Sequence, residues 1–186
     1  MTSPFHRLCR TTLAAGFVFG MASAAFAVGD SNDDTNPPPK TQTTKTCTGG
    51  KVWDKAKKEC VTPKKNSFND DDLYKFAREF AYAGQYENAI AVLNLALNQN
   101  DPRILNYLGY ANRKAGRMEL GMSYYRKALQ ADENYILARS YMGMALVEQG
   151  DIQGARVQLV EIRDRGGEDT WAYRALLQSL NGYKTY

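Results

Sequence analysis

The chain has 186 residues, with 24 lysines and arginines against 20 aspartates and glutamates, a formal charge of +4. So small an excess excludes a protein held to nucleic acid by bulk charge. One histidine and three cysteines leave too few side chains for a zinc centre built in the usual way, and no metal site or cofactor is expected.

Residues 1–27 read as a secretory signal peptide. His6, Arg7 and Arg10 make a basic start, Thr11 to Ala24 is a small and mostly apolar run, and Ala25-Phe26-Ala27 has the small-x-small form of a cleavage site. The run is broken by glycines and short for a membrane span. Cys9 lies in the charged segment, away from the cleavage point, which argues against a lipid anchor. Cleavage would leave Val28 to Tyr186, with 22 basic and 20 acidic residues and a charge of about +2. The expected location is periplasmic, with an extracellular destination second.

Residues 28–46 carry Asp30, Asp33, Asp34 and Pro37-Pro38-Pro39 and almost no apolar side chains. Such a stretch buries too little surface to offset its ordering entropy, so a disordered linker is expected. Residues 47–62 contain Cys47 and Cys60, the pair left once the signal is removed. An even pair in an exported chain reads as a disulfide. Closing this 14-residue segment contributes about 3 kcal/mol on the chain-entropy view, enough for a hairpin or loop but not a domain. Two readings of the loop stand together. Trp53, ringed by Lys51, Lys55, Lys57 and Lys58, could be an accessory contact for an acidic protein, a glycan or an anionic membrane. Alternatively, the loop is a staple whose tryptophan packs on its own disulfide or on the rest of the chain. Residues 63–69 are a short linker.

From Asn69 the pattern becomes helical. Leu73, Phe76, Ala77 and Phe80 recur at three and four, with Asn69 or Asp70 as cap. Gly84 turns the chain, and Ala89, Leu93 and Ala96 mark a second helix. Pro102 opens the next unit at a place where a helix tolerates it. That unit carries Leu105, Leu108 and Gly109, the turn at Gly116, then Gly121, Tyr125 and Ala128. The third carries Met142, Gly143 and Leu146, the turn at Gly150, then Ala155, Leu159 and Ile162. The turn glycines are 32 and 34 residues apart, a period that marks stacked helix pairs. Trp171, Ala172, Ala175, Leu176 and Leu180 continue the rhythm as a closing helix between Gly167 and Gly182. Residues 183–186 form a tail.

These residues resemble the tetratricopeptide repeat family. Its first helix carries a bulky residue, then Leu-Gly and an aromatic. Its second carries Ala, an aromatic and Ala. Here the Leu-Gly step is Leu108-Gly109, echoed by Met142-Gly143 and Phe76-Ala77, while Gly121 and Ile162 depart from the Ala preference. The resemblance implies an all-α solenoid of three tetratricopeptide-type helical hairpins over 70–182. The repeats would span 70–101, 102–135 and 136–169, with a capping helix at 170–182, preceded by the disordered linker and the small disulfide loop.

In the resembled family the first helices line a concave groove. The matching outward places are Tyr74, Arg78 and Tyr82, then Asn106, Tyr110, Arg113 and Lys114, then Ser140 and Met144 with Glu148, and Arg174 on the cap. This aromatic and mildly basic set suits an extended protein or peptide segment carrying acidic groups. The expectation is a non-enzymatic interaction module, an adaptor or assembly scaffold in the periplasm, compatible with a homo-oligomer and without nucleic acid. The alternative is an envelope-associated structural protein using the Cys47–Cys60 loop for peripheral contact. Catalysis has little support: the single histidine, His6, leaves with the signal, no Gly-rich phosphate loop or zinc-binding histidine pair is present, and only a two-carboxylate glycan hydrolase stays open on spacing.

Overall fold

A computed structural model describes residues 39–183. The signal peptide, most of the expected linker and the last three residues of the tail lie outside the described residues. Within them the chain is mainly helical, with eight helices and one two-stranded sheet. No helix among the described residues is long and apolar enough to cross a membrane.

The amino-terminal part is a short helix, α1 (Gln42–Lys45), and a hairpin of β1 (Val52–Asp54) and β2 (Glu59–Val61). The antiparallel register pairs Val52 with Val61, Trp53 with Cys60 and Asp54 with Glu59. Asp54 makes the hairpin turn. Its carboxylate accepts from the Ala56 and Lys57 amides at 2.9 and 3.1 Å, which draws its pKa below the ordinary range. Cys47 and Cys60 are bonded, tying the end of α1 to β2.

Seven longer helices follow: α2 (Asp70–Tyr82), α3 (Tyr86–Leu93), α4 (Pro102–Lys114), α5 (Met118–Ala131), α6 (Ile136–Glu148), α7 (Ile152–Asp164) and α8 (Trp171–Leu180). Four of their starts are written in side chains. Asn69, Asp101, Asp151 and Thr170 each accept from an amide of the first turn, and Pro102 stands in the first turn of α4. Five of them, α2, α4, α6, α7 and α8, end in one motif. At the first, the Gln85 amide donates to Phe80 O at 2.9 Å and the Gly84 amide to Ala81 O at 3.1 Å. The same pair of bonds recurs around Gly116, Gly150, Gly166 and Gly182. This closure needs a left-handed residue, and Gly84, Gly116 and Gly150 have φ of 74°, 85° and 81°. The recurring glycine is therefore a backbone requirement.

The helices pack as pairs, α2 with α3, α4 with α5 and α6 with α7, and α8 lies on α6 and α7. Successive pairs meet through α3–α4 and α5–α6, and α4 also touches both α2 and α6. Hence α4 is enclosed on every side, and each residue from Ile104 to Arg113 is buried. One cluster, running from Val52 of the hairpin to Leu176 of α8, forms most of the core.

Two expectations are corrected here. Residues 39–46, expected within a disordered linker, include α1 and dock on α2. The docking point is one carboxylate, Glu79, which is itself buried. It accepts from the Thr41 amide at 2.8 Å, the Thr41 hydroxyl at 2.6 Å, the Thr44 amide at 3.1 Å and the Thr44 hydroxyl. Charge-assisted bonds of this kind make a low-apolar segment orderable without a hydrophobic face. Secondly, the second helix of the first unit stops at Leu93, so Ala96 is buried but lies beyond it. Side chains replace the missing turn. The Asp70 carboxylate accepts from the Leu97 and Asn98 amides at 2.7 and 2.8 Å, while the Gln99 amide group donates to Leu93 O and Ala96 O.

Candidate binding surfaces

The inner places of α2, α4, α6 and α8 are filled with rings. Tyr74 meets Tyr107 edge-to-face at 5.4 Å, Tyr107 meets Tyr141 at 6.2 Å and 90°, and Tyr141 meets Trp171 at 6.3 Å and 83°. Each of the four helices contributes one ring to this line. Tyr110 packs beside it, stacked on Tyr82 at 6.2 Å and tilted on Tyr141 at 5.1 Å. Polar tips are joined inside the array: Arg78 Nε donates to the Tyr107 hydroxyl at 3.0 Å, and the Tyr82 and Tyr141 hydroxyls lie 3.3 Å apart. The guanidinium of Arg113 lies 5.7 Å over Tyr110. Burial raises the pKa of Tyr107, Tyr110, Tyr125 and Tyr141.

The outward set expected from the sequence is therefore mostly inward. Tyr74, Arg78, Asn106, Tyr110, Arg113, Ser140 and Met144 are buried, Tyr82 and Lys114 are half-buried, and Arg174 is exposed. The reason is ring size. A tyrosine on a first helix reaches the ring of the next first helix, so the hollow that smaller side chains would leave is occupied. Ser140 has become a tie, donating to Ala172 O of α8 at 2.7 Å. Asn106 is fully buried, and its amide atoms have no hydrogen-bond partner among the described residues. Lys114 sits at the edge, where burial and then the adjacent Arg113 charge lower its pKa.

Open space lies instead where the hairpin meets α2. A cleft of about 710 Å³ is lined by Trp53 and Ala56 of the hairpin, Phe76 and Arg78 of α2, and Pro39 and Phe68. That volume is in the range of ligand-binding clefts. Phe68 and Phe76 meet edge-to-face at 5.2 Å and form an apolar wall. Lys55 and Lys75 lie at the rim and are exposed, and Thr43 and Glu79, both buried, lie at the base. Trp53 is half-buried, and its amide donates to Thr43 Oγ1 at 3.1 Å. Val52 beside it is fully buried in the main core. The loop is thus a staple seated on the helices, and its tryptophan faces a shared cleft. Lys51 and Lys55 remain exposed on it.

Sequence reading missed Glu79, which looks like an ordinary surface acid at helical spacing. The available signal was Thr41 to Thr46, a threonine-rich run of small hydrogen-bonding side chains that suits docking on a carboxylate.

Comparison with protein-family models finds no match for this chain, and comparison with curated proteins finds none either.

Proposed function

We propose that this chain is an exported, non-enzymatic interaction module of tetratricopeptide type, a periplasmic adaptor or scaffold that holds an extended segment of a partner protein. The repeat reading is supported by the coincidence of three helix pairs, turn glycines in one closing motif and small residues at matching close approaches. The export reading is supported by the first 27 residues and by the cysteine pair. The observation that carries the binding assignment is the aromatic-walled cleft between the hairpin and α2, held rigid by the disulfide, the Glu79 bonds and buried Val52. Rigid elements presenting an apolar wall, with Lys55, Lys75 and Arg78 balanced by Asp54, Asp72 and Glu79 around it, suit an extended chain segment carrying apolar side chains and charges of both signs.

The test is crosslinking capture in the periplasm by the parent chain, Trp53→Ala, Lys75→Glu and the distant control Arg126→Glu. Capture should fall at least ten-fold in both cleft variants and stay level in the control. Equal capture by all four, with unchanged circular dichroism, removes the cleft as the binding place.

A further inference from the structure

Charge in this protein is divided sharply between its two parts. Residues 39–68 contain eight lysines (40, 45, 51, 55, 57, 58, 64 and 65) and two acids, Asp54 and Glu59. Residues 69–183 contain 13 lysines and arginines and 15 aspartates and glutamates. The amino-terminal part is therefore +6 and the helical part −2. Over the longer stretches residues 28–68 hold eight lysines to five acids, and residues 69–186, with Lys184, hold 14 basic to 15 acidic residues.

The two sets of cations are also used differently. In the helical part Lys75, Arg103, Arg113, Arg117, Arg139 and Arg165 are in ion pairs with neighbouring carboxylates. All eight lysines of residues 39–68 are exposed, and of these only Lys57 is in an ion pair among the described residues, 3.6 Å from Asp54. A hairpin with three residues per strand is about 10 Å long, close to one screening length at physiological salt, so the charges of Lys51, Lys57 and Lys58 overlap at a facing surface.

We infer that the lysine-rich amino-terminal module docks this protein on an anionic phospholipid bilayer surface, by adsorption without insertion. Lysine, a compact hydrated point charge, suits a diffuse field of lipid phosphates, and the module contains no arginine for bidentate recognition. No large exposed hydrophobic side chain lies in residues 39–68, and Trp53 lines the cleft, so the lysine-bearing surface offers nothing to enter the acyl region. The nearly charge-balanced helical part gains little from the same surface, so the lysine-rich end is the one that faces the lipid. This inference is independent of what the cleft holds.

The experiment is co-sedimentation of the signal-free chain with vesicles of phosphatidylcholine alone and of phosphatidylcholine with about a third phosphatidylglycerol, in low and high salt. Each lysine at an anionic surface is worth roughly five-fold in partitioning. Binding should occur on the anionic vesicles only and vanish in about 0.5 M salt. The triple variant Lys51→Glu, Lys58→Glu, Lys65→Glu, whose side chains do not line the cleft, should bind at least 100-fold more weakly, and Arg126→Glu, Arg156→Glu should bind like the parent. Overturning results are equal binding to neutral vesicles, no binding to anionic vesicles in low salt, or full binding by the triple variant. Binding to a soluble anionic polysaccharide without vesicle binding also overturns it. Segment capture by the triple variant stays intact, so loss of this docking and loss of the cleft's role are separate outcomes.

Discussion

Gly121 is the place where helix propensity and the packing of this structure give opposite answers. Alanine is the better helix former by about 1 kcal/mol. On propensity alone, Gly121→Ala should stabilise α5. In this fold a Cβ at Gly121 would stand 2.8 Å from Gly109 O and 3.0 Å from both the amide nitrogen and Cβ of Arg113. These obstacles belong to the backbone and stem of α4, which is packed on α2, α3, α5 and α6 and has no free direction in which to move. Overpacking of this sort costs about 1–3 kcal/mol, and the rigid site puts it in the upper half of that range. The net expectation is destabilisation by about 1–2 kcal/mol, a fall in Tm of roughly 3–8 °C for a domain of this size. Thermal and urea unfolding of the signal-free chain would measure it. Ser123→Ala, on the same helix, provides the propensity control and should melt at or slightly above the parent temperature. If Gly121→Ala melts with it, the close approach of α4 and α5 is not a constraint and the packing argument fails.

Two further outcomes follow from the buried groups. Glu79→Ala removes the acceptor of four donors and should cost about 2–4 kcal/mol locally. Hydrogen exchange should show the Trp53 amide losing protection while the α4 amides keep theirs, and a chain that retains both was not held by that carboxylate. Alkaline pH should weaken the whole array. Burial pushes Tyr125 up to about 12 and moves Tyr107, Tyr110 and Tyr141 upward as well, whereas unfolded tyrosines titrate near 10. The folded state keeps protons that the unfolded state releases, so this stability is complete below about pH 10 and is lost as pH rises toward the folded values. The urea midpoint should drop between pH 8 and pH 11, with the last phenolates forming only as helicity disappears. Full phenolate formation near pH 10 with intact helices would contradict the burial.

The backbone rhythm was readable because it rests on residues with single uses. A glycine before α3, α5, α7 and α8, a capping side chain at Asn69 or Asp101 and a proline in the first turn of α4 each have one structural reading, and all stand where periodicity places them. The cysteine pair is equally direct. What escaped is tertiary. Periodicity marks a face as apolar or polar, but it does not say that α4 is surrounded, so Asn106, Arg113 and Tyr110 looked like solvent-facing positions. Nor does it show that a threonine run will find Glu79, since that bond joins residues 35 to 38 apart. Ala96 fitted helical spacing to Leu93, and only the side chains of Asp70 and Gln99 show that the helix had already ended. The cleft was invisible because its walls come from the hairpin, the linker and α2.

The line of rings through Tyr74, Tyr107, Tyr141 and Trp171 makes the helix pairs poor interchangeable parts. In an array joined by generic aliphatic contacts, a copy could be inserted or removed and the ends would re-seat. Here every junction depends on a particular ring meeting its neighbour edge-on, so a spliced unit arrives out of register with both sides. The same dependence ties the junctions together energetically, and the array should melt as a single cooperative block, with amides of α2 and α8 exchanging no faster than those of α4.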